Sequence, residues 1–183
     1  MTTMFLVRHA HSVYTPDERE RPLSDSGKKD AERVARVLEM EHVDHIYSSP
    51  YVRAIETVEP LAKERGIEII LEEDLRERLL APGEVPNFAE AVRHVWEHPD
   101  ENPFGGETNE EAGRRGKEVV ERILALHSNE SVVIGTHGNL LALMLQQYDD
   151  RYGHDFWKAL DMPDVHKVSF ESGRMTVEKL WVK

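Results

Sequence analysis

LVRHAHS, Leu6 to Ser12, decides how this chain is read. The apolar run leading into it, Met4 to Val7, has the composition of a buried strand, and it stops at Arg8-His9. A guanidinium and an imidazole therefore stand side by side where a strand leaves the sheet. In an open α/β sheet, ligands bind just beyond the carboxyl ends of the strands. Taken alone, the pair reads equally well as two surface residues. The pattern repeats, however. GTHGNLL, Gly135 to Leu141, follows the apolar Val132 to Ile134 and puts His137 at a strand end. SSPYVRAIET, Ser48 to Thr57, follows Ile46-Tyr47 and puts Arg53 near a helix start, while LRER, Leu75 to Arg78, follows Ile67 to Leu71 and supplies Glu77. Cationic or ionisable donors and a carboxylate, each beside a strand end, make one pattern rather than four accidents.

On these residues the chain resembles the histidine phosphatase superfamily, which includes the cofactor-dependent phosphoglycerate mutases and fructose-2,6-bisphosphatase. The family's opening Arg-His corresponds to Arg8-His9, and its second Arg, in an SSxxxRAxxT context, to Arg53. Its acidic residue after a Leu-x-Glu pattern corresponds to Glu77, and its late His-Gly to His137-Gly138. The resemblance runs from the first strand to the last. It implies a single domain over residues 1–183 and a reaction without a metal or other cofactor. Three positions depart from the family pattern: the usual Gly after the first His is Ala10, the commonly acidic next position is His11, and an Asn often found six residues past the nucleophile is Thr15. His11 then becomes a candidate phosphate contact or proton donor, and Thr15 a candidate single hydrogen bond to substrate. Ser12 is a candidate phosphate contact, although a lone serine there also suits turn capping.

Composition sets the outer limits. A chain of 183 residues, 39% hydrophobic and 32% charged, can bury a proper core beneath a highly charged surface. There is no cysteine, which excludes disulfides and thiolate metal sites and fits a cytoplasmic protein. No apolar run approaches bilayer-spanning length, and MTTMFLV lacks the basic residues of a signal peptide. The net charge of −12 disfavours nucleic acid and anionic lipid as partners. A small phosphorylated substrate is still admissible, because binding is decided by the local field of a cleft. The overall charge does predict slow capture of highly anionic substrates.

Strands and helices alternate along the chain. Pro22 to Met40 reads as a helix capped by Ser24 or Ser26, with Ala31, Val34, Ala35 and Leu38 on one face. Strand His45 to Ser48, helix Tyr51 to Arg65 closed by Gly66, and strand Ile67 to Leu71 follow. Residues 79–106 break the rhythm: Pro82, Gly83 and Pro86 mark a loop, and Phe88, Val92 and Val95 suggest a short helix ending near Pro99. The resembling family carries a variable insertion here that roofs its active site, so 79–106 reads as a small lid. Helix Glu107 to His127, with Val119, Ile123 and Leu126 inward, strand Ser131 to Gly135 and the apolar helix Asn139 to Gln147 come next, and Asp155 to Leu160 suggests a further helical turn. Alternation around Ser172-Gly173 signals a closing hairpin. The expected architecture is a three-layer α/β/α sandwich with a largely parallel sheet, an antiparallel closing hairpin and a small helical lid.

A phosphate monoester is a dianion, so its charge must be neutralised before a nucleophile can approach. Arg8 and Arg53 suit that task, because a guanidinium offers parallel donors and stays protonated. His137 adds a donor, best when protonated beside the anion, and the Gly138 N–H at a helix start adds another. His9 is the expected nucleophile, kept neutral by a neighbouring cation such as Arg8 and forming a phosphohistidine. Glu77 can give a proton to the leaving alkoxide and take one from the attacking water. Gly105-Gly106 with Glu107-Thr108 resembles the family's GGES element, read as ordering the pocket wall near His137 and as a helix cap. His94 and His98 sit one helical turn apart with no third ligand near in sequence and read as solvated, as do His42 and His45. Trp96, Trp157 and Trp181 read as core or rim packing.

The leading function is a phosphatase for phosphomonoesters of small metabolites. The competing readings are a phosphoglycerate mutase, a phosphohistidine protein phosphatase, and a non-catalytic module that binds a phosphorylated ligand. Against the mutase, Arg93 is the sole Lys or Arg in residues 79–106, leaving little to retain a carboxylate for return transfer. Against the protein phosphatase, similar chains tend to be shorter and lack the lid. Oligomeric state is not legible in the sequence.

Overall fold

The computed structural model describes all of residues 1–183. Its centre is β1 (Thr2–Arg8), buried on both faces until Arg8. Period-2 alternation sends Met4 and Leu6 to one side and Phe5 and Val7 to the other, and each set enters a different core. A strand apolar on both sides belongs in the middle of a covered, largely parallel sheet. The other strands are β2 (His45–Ser48), β3 (Ile69–Leu71), β4 (Ser131–Thr136), β5 (Asp164–Glu171) and β6 (Arg174–Lys179), in the order β3-β2-β4-β1-β5-β6. β1, β2, β3 and β4 run parallel, while β5 and β6 form the antiparallel closing hairpin. Ser172 and Gly173 turn that hairpin with φ of 49° and 78°. Two successive positive-φ residues match the right-handed twist of the flanking strands.

Helices cover both faces. α1 (Asp25–Val37) begins where the Ser24 hydroxyl accepts the Gly27 N–H, and α2 (Val52–Arg65) ends at Gly66 with φ 67°. Their Val34, Ala35, Leu38, Val58 and Leu61 pack on Phe5, Val7, Ile46 and Val133. After α3 (Phe88–Glu97), the opposite face is covered by α4 (Asn109–Leu126) and α5 (Gly138–Gln146). Val119, Val120, Ile123, Leu140, Leu141 and Met144 bury Met4, Leu6, Val132 and Ile134 there. Each such fully buried side chain contributes roughly 1.5–3 kcal/mol relative to exposure. The short α6 (His154–Ala159) follows. No helix is long and apolar enough to cross a membrane. The three-layer sandwich, parallel sheet and closing hairpin are those the sequence implies.

Several details differ. β3 is shorter than Ile67–Leu71 because it is an edge strand paired only with β2, and Ile70 and Leu71 are exposed. A 3-10 turn, Glu73–Leu75, then intervenes before Glu77, with Leu75 buried as its anchor. Leu126 points outward, since it is the last residue of α4 and lies beyond the sheet it would cover. Phe88 opens α3 and is exposed too. The inner face of α3 is Ala91, Val92 and Val95, packed with Leu80, Val85, Trp96, Phe104 and Trp157 of α6.

Candidate active site

Register brings the site together. In β1 and β4, Arg8 pairs with Thr136, and in β2 and β4, Ser48 pairs with Gly135. The residues just past those strand ends, His9, His137 and Ser49, therefore meet at one edge. The His9 and His137 rings are edge-on with centroids 5.2 Å apart. Ser49 Oγ and His137 Nε2 are 2.8 Å apart, and the same hydroxyl accepts the Tyr51 N–H.

His9 is held in one tautomer. Its Nδ1 lies 2.7 Å from the Ala10 carbonyl, a partner that can only accept, so the proton sits on Nδ1. Nε2 is left with its lone pair free, and the Nε–H of Arg53 reaches it at 3.3 Å. Burial drives the His9 pKa down to about 3, with Arg53 the next cause and Arg8 a lesser one. The ring is therefore neutral at physiological pH, chiefly through desolvation rather than through its Arg8 neighbour. His137, with no exposed surface, is pushed well below the usual imidazole value, first by burial and then by His9 and Arg53. It is a neutral imidazole here; the protonated form that the sequence reading favoured is the one beside a bound dianion. Its Nδ1 is buried and has no partner in the protein.

Arg53 comes from the first turn of α2, and Thr57 one turn later faces the same way. The Thr57 hydroxyl donates to the Arg53 carbonyl and accepts the Ala10 N–H, which ties the His9-Ala10 bend to α2. That bond accounts for the paired Arg and Thr of the SSxxxRAxxT stretch. The rest of the Arg53 fork is engaged by Glu18: Nη1 donates to its carbonyl at 2.7 Å and Nη2 to its carboxylate at 3.0 Å. Arg8 donates through Nη1 to the carbonyls of Leu160 and Asp161, while its Nε is buried without a partner. A Cβ at residue 138 would stand 2.8 Å from that Nε, so the guanidinium needs glycine at the start of α5 to lie flat against the backbone.

Glu77 caps α5. Its carboxylate accepts N–H bonds from Arg78 (2.8 Å), Asn139 (3.1 Å) and Leu140 (3.0 Å). An anion at a helix N-terminus is favoured by the free N–H groups and the helix dipole. The Glu77 loop is in turn braced by Arg115 of α4, whose Nη1 donates to the carbonyls of Asp74 and Arg76 while Nε and Nη2 fork onto Glu107. Buried Arg78 reaches Asn109 Oδ1 at 2.6 Å. The Gly-Gly-Glu-Thr stretch thus bonds to Leu79 and Arg115 and orders the Glu77 loop, which meets α5 at Asn139 and Leu140, just past His137. Its Thr108 also caps α4 in a reciprocal box with Glu111.

Arg8, His9, Arg53, Glu77, His137 and Gly138 are therefore gathered at the carboxyl ends of β1 and β4 and the start of α5. The other three candidates are occupied locally. Thr15 donates its hydroxyl to the Asp17 carbonyl, His11 is exposed with Nδ1 against Ser24 Oγ, and Ser12 bridges Leu23 through the backbone. Ala10 replaces glycine without strain, since its methyl fills a small core with Leu23 and Ala31. Sequence reasoning missed Glu18, Ser49, Asn139 and Trp96, whose Nε1 donates to Asn139 Oδ1. Nothing in DERER or SSP distinguishes Glu18 or Ser49 from its neighbours; only the return of the loop onto α2 and the register of β2 do.

Fold and site together define an α/β protein that gathers two arginines, two histidines and a glutamate beyond the carboxyl ends of its parallel strands. The family model for the histidine phosphatase superfamily, branch 1, matches residues 4–183. The chain belongs to that superfamily. It is 33% identical over 150 residues to phosphoserine phosphatase 1 of Hydrogenobacter thermophilus, covering 75% of this chain and 71% of that one. It is 30% identical to phosphoglycerate mutase-like protein 4 of Arabidopsis thaliana, covering 78% and 69%. Among solved structures, Bacillus stearothermophilus YhfR superposes with a TM-score of 0.80 at 28% identity, over 98% of this chain and 96% of that one.

Proposed function

We propose that this chain is a phosphatase that hydrolyses phosphomonoesters of small metabolites through a phosphohistidine on His9 Nε2, in the cytoplasm and without a metal in the reaction. The observation that carries the reading is the tautomer: Nδ1–H is spent on the Ala10 carbonyl, so the free lone pair of Nε2 faces Arg53 beside His137. Arg8 and Arg53 neutralise the phosphoryl oxygens, and the unpartnered Nδ1 of His137 donates a third hydrogen bond. Gly138 N–H, at the head of α5, is a fourth donor. Nε2 attacks phosphorus in line as the ester P–O bond breaks, and Glu77, which takes up a proton as the phosphate dianion enters beside it, passes that proton to the leaving alkoxide. Water then attacks the phosphohistidine, giving its proton to Glu77 and restoring neutral His9.

Residues 79–106 read as the lid of this site: the segment packs on Trp157 of α6, and Trp96 donates to Asn139 beside Glu77, which supports that reading. Its lone arginine, Arg93, pairs with Glu97 on the helix surface, which favours hydrolysis over retention of a phosphoglycerate. The names of the relatives include both phosphatases and a mutase-like protein, and phosphoserine is a natural first substrate to try. In the decisive experiment, wild-type protein given a ³²P-labelled phosphomonoester acquires acid-labile label and releases phosphate. His9→Ala loses both. Label or turnover surviving in His9→Ala overturns the assignment, as does mutase activity above hydrolysis with 3-phosphoglycerate.

A further inference from the structure

At the opposite end of the sheet, where β2 and β4 begin, three ligand-type side chains converge. His45 opens β2, His127 ends α4, and Glu130 lies just before β4. Both imidazoles approach the same carboxylate oxygen: His45 Nε2 and His127 Nδ1 each lie 2.8 Å from Glu130 Oε2. The rings lie 4.0 Å apart, and the three donor atoms all fall within 4.8 Å of one another. The other nitrogen of His127 is 2.9 Å from the Tyr47 hydroxyl. His45, which the sequence reading took with His42 as a surface residue, is thus half-buried in a cluster that the phosphatase mechanism does not use.

We propose that His45, His127 and Glu130 form a zinc site, with water as the fourth ligand, that fastens the start of β2 to the turn between α4 and β4. Two imidazoles and one carboxylate form a tetrahedral Zn²⁺ donor set, and imidazole pairs select against Mg²⁺ and Ca²⁺. Zn–N and Zn–O bonds near 2.0–2.1 Å put tetrahedral donors roughly 3.3 Å apart. The two imidazole–carboxylate separations of 2.8 Å need to open by about half an ångström, and the two nitrogens, within 4.8 Å of each other, need to settle to the same spacing, which the partly exposed Glu130 and His45 side chains permit. Each ring binds the metal through the lone pair of the nitrogen that faces Glu130, so its remaining proton sits on the other nitrogen. His127 Nε2 then donates to the Tyr47 oxygen, and His45 carries its proton on Nδ1. A metal-bound imidazole whose other N–H is held by a hydrogen bond is the usual outer arrangement of such sites. The site lies on the amino-terminal side of the sheet, so it stabilises the fold without touching the reaction.

The test is titration of the metal-free full chain with Zn²⁺ by calorimetry, and with Co²⁺ by visible absorption. Wild type should take up one equivalent, with a tetrahedral Co²⁺ spectrum, and Zn²⁺ should raise its thermal midpoint. His45→Ala and Glu130→Gln should each weaken binding at least 10-fold and remove the thermal shift, while hydrolysis of p-nitrophenyl phosphate in metal-free buffer is unchanged. Tyr47→Phe should weaken binding by about 10-fold. His94→Ala, at the other histidine pair, should bind as wild type. The proposal falls if wild type takes up no stoichiometric metal, or if folded His45→Ala, checked by circular dichroism, keeps wild-type affinity. In that second case an equivalent loss in His94→Ala would place the metal on α3 instead.

Discussion

Gly138 shows how narrowly single residues set this site. It opens α5 directly beneath the Arg8 guanidinium, and any β-carbon there would overlap Nε and Cζ, at 2.8 and 2.9 Å. Gly138→Ala should therefore shift Arg8 and lower kcat/KM for p-nitrophenyl phosphate roughly 100-fold, since misplacement by about 1 Å costs that much. Its unfolding free energy should stay within about 1 kcal/mol of wild type, because alanine is the better helix former. An unchanged kcat/KM would mean that Arg8 does not act where it is drawn. Glu18 works in the opposite sense: it holds the Arg53 fork, and an incoming phosphoryl group must take those donors over. Arg8, His9 and His137 were legible because a charged or ionisable side chain directly after an apolar run is conspicuous, and Arg53 and Glu77 through the SSxxxRAxxT and Leu-x-Glu patterns that follow the next two runs. Glu18 was not, in a surface loop crowded with charges of both signs.

Among the elements, the Glu77 loop depends most on others. It leaves the edge strand β3 through one 3-10 turn and is held by two helices, α5 through its free N–H groups and α4 through Arg115. Arg115 is nearly buried, and its partner Glu107 is about one-fifth exposed. Removing one partner of a buried pair costs about 3–5 kcal/mol, and the exposure of Glu107 reduces that to roughly 2–3 kcal/mol for Arg115→Ala. In urea unfolding that loss should appear together with a fall in kcat larger than any rise in KM, because Glu77 is misplaced while the arginine clamp stays. A stability loss with normal kcat would show that the brace does not reach Glu77. Arg115→Lys should recover part of the stability but less of kcat, since an ammonium cannot fork between carboxylate and carbonyls. The strands and helices were readable from periodicity. The brace was not, because it joins residues some forty positions apart.

For the whole molecule, the two site histidines make stability depend on pH. Both have folded pKa values below the ordinary 6.5, His9 at about 3 and His137 well below 6.5, burial being the first cause in each. Between those values the unfolded chain binds more protons than the native one, so stability is complete above about pH 6.5 and is lost as pH falls toward 3. The slope is at most about 1.4 kcal/mol per pH unit for each histidine. Urea midpoints measured at pH 7 and pH 4.5 should show wild type losing more stability on acidification than His9→Gln, the carboxylates being common to both. Equal losses would mean that His9 is not buried as a neutral ring.

The sequence by itself determined the class of architecture and the five chemical groups at strand ends, because apolar runs, their periods and the polar residues that stop them are local properties. Only the tertiary structure decided which of those groups meet, which tautomer His9 adopts and why it is neutral. It also decided that Glu18 and Ser49 join the site, and that His45 meets His127 and Glu130 at the far end. Those outcomes depend on strand register, burial and loop return, which bring together residues whose separation along the chain carries no signal.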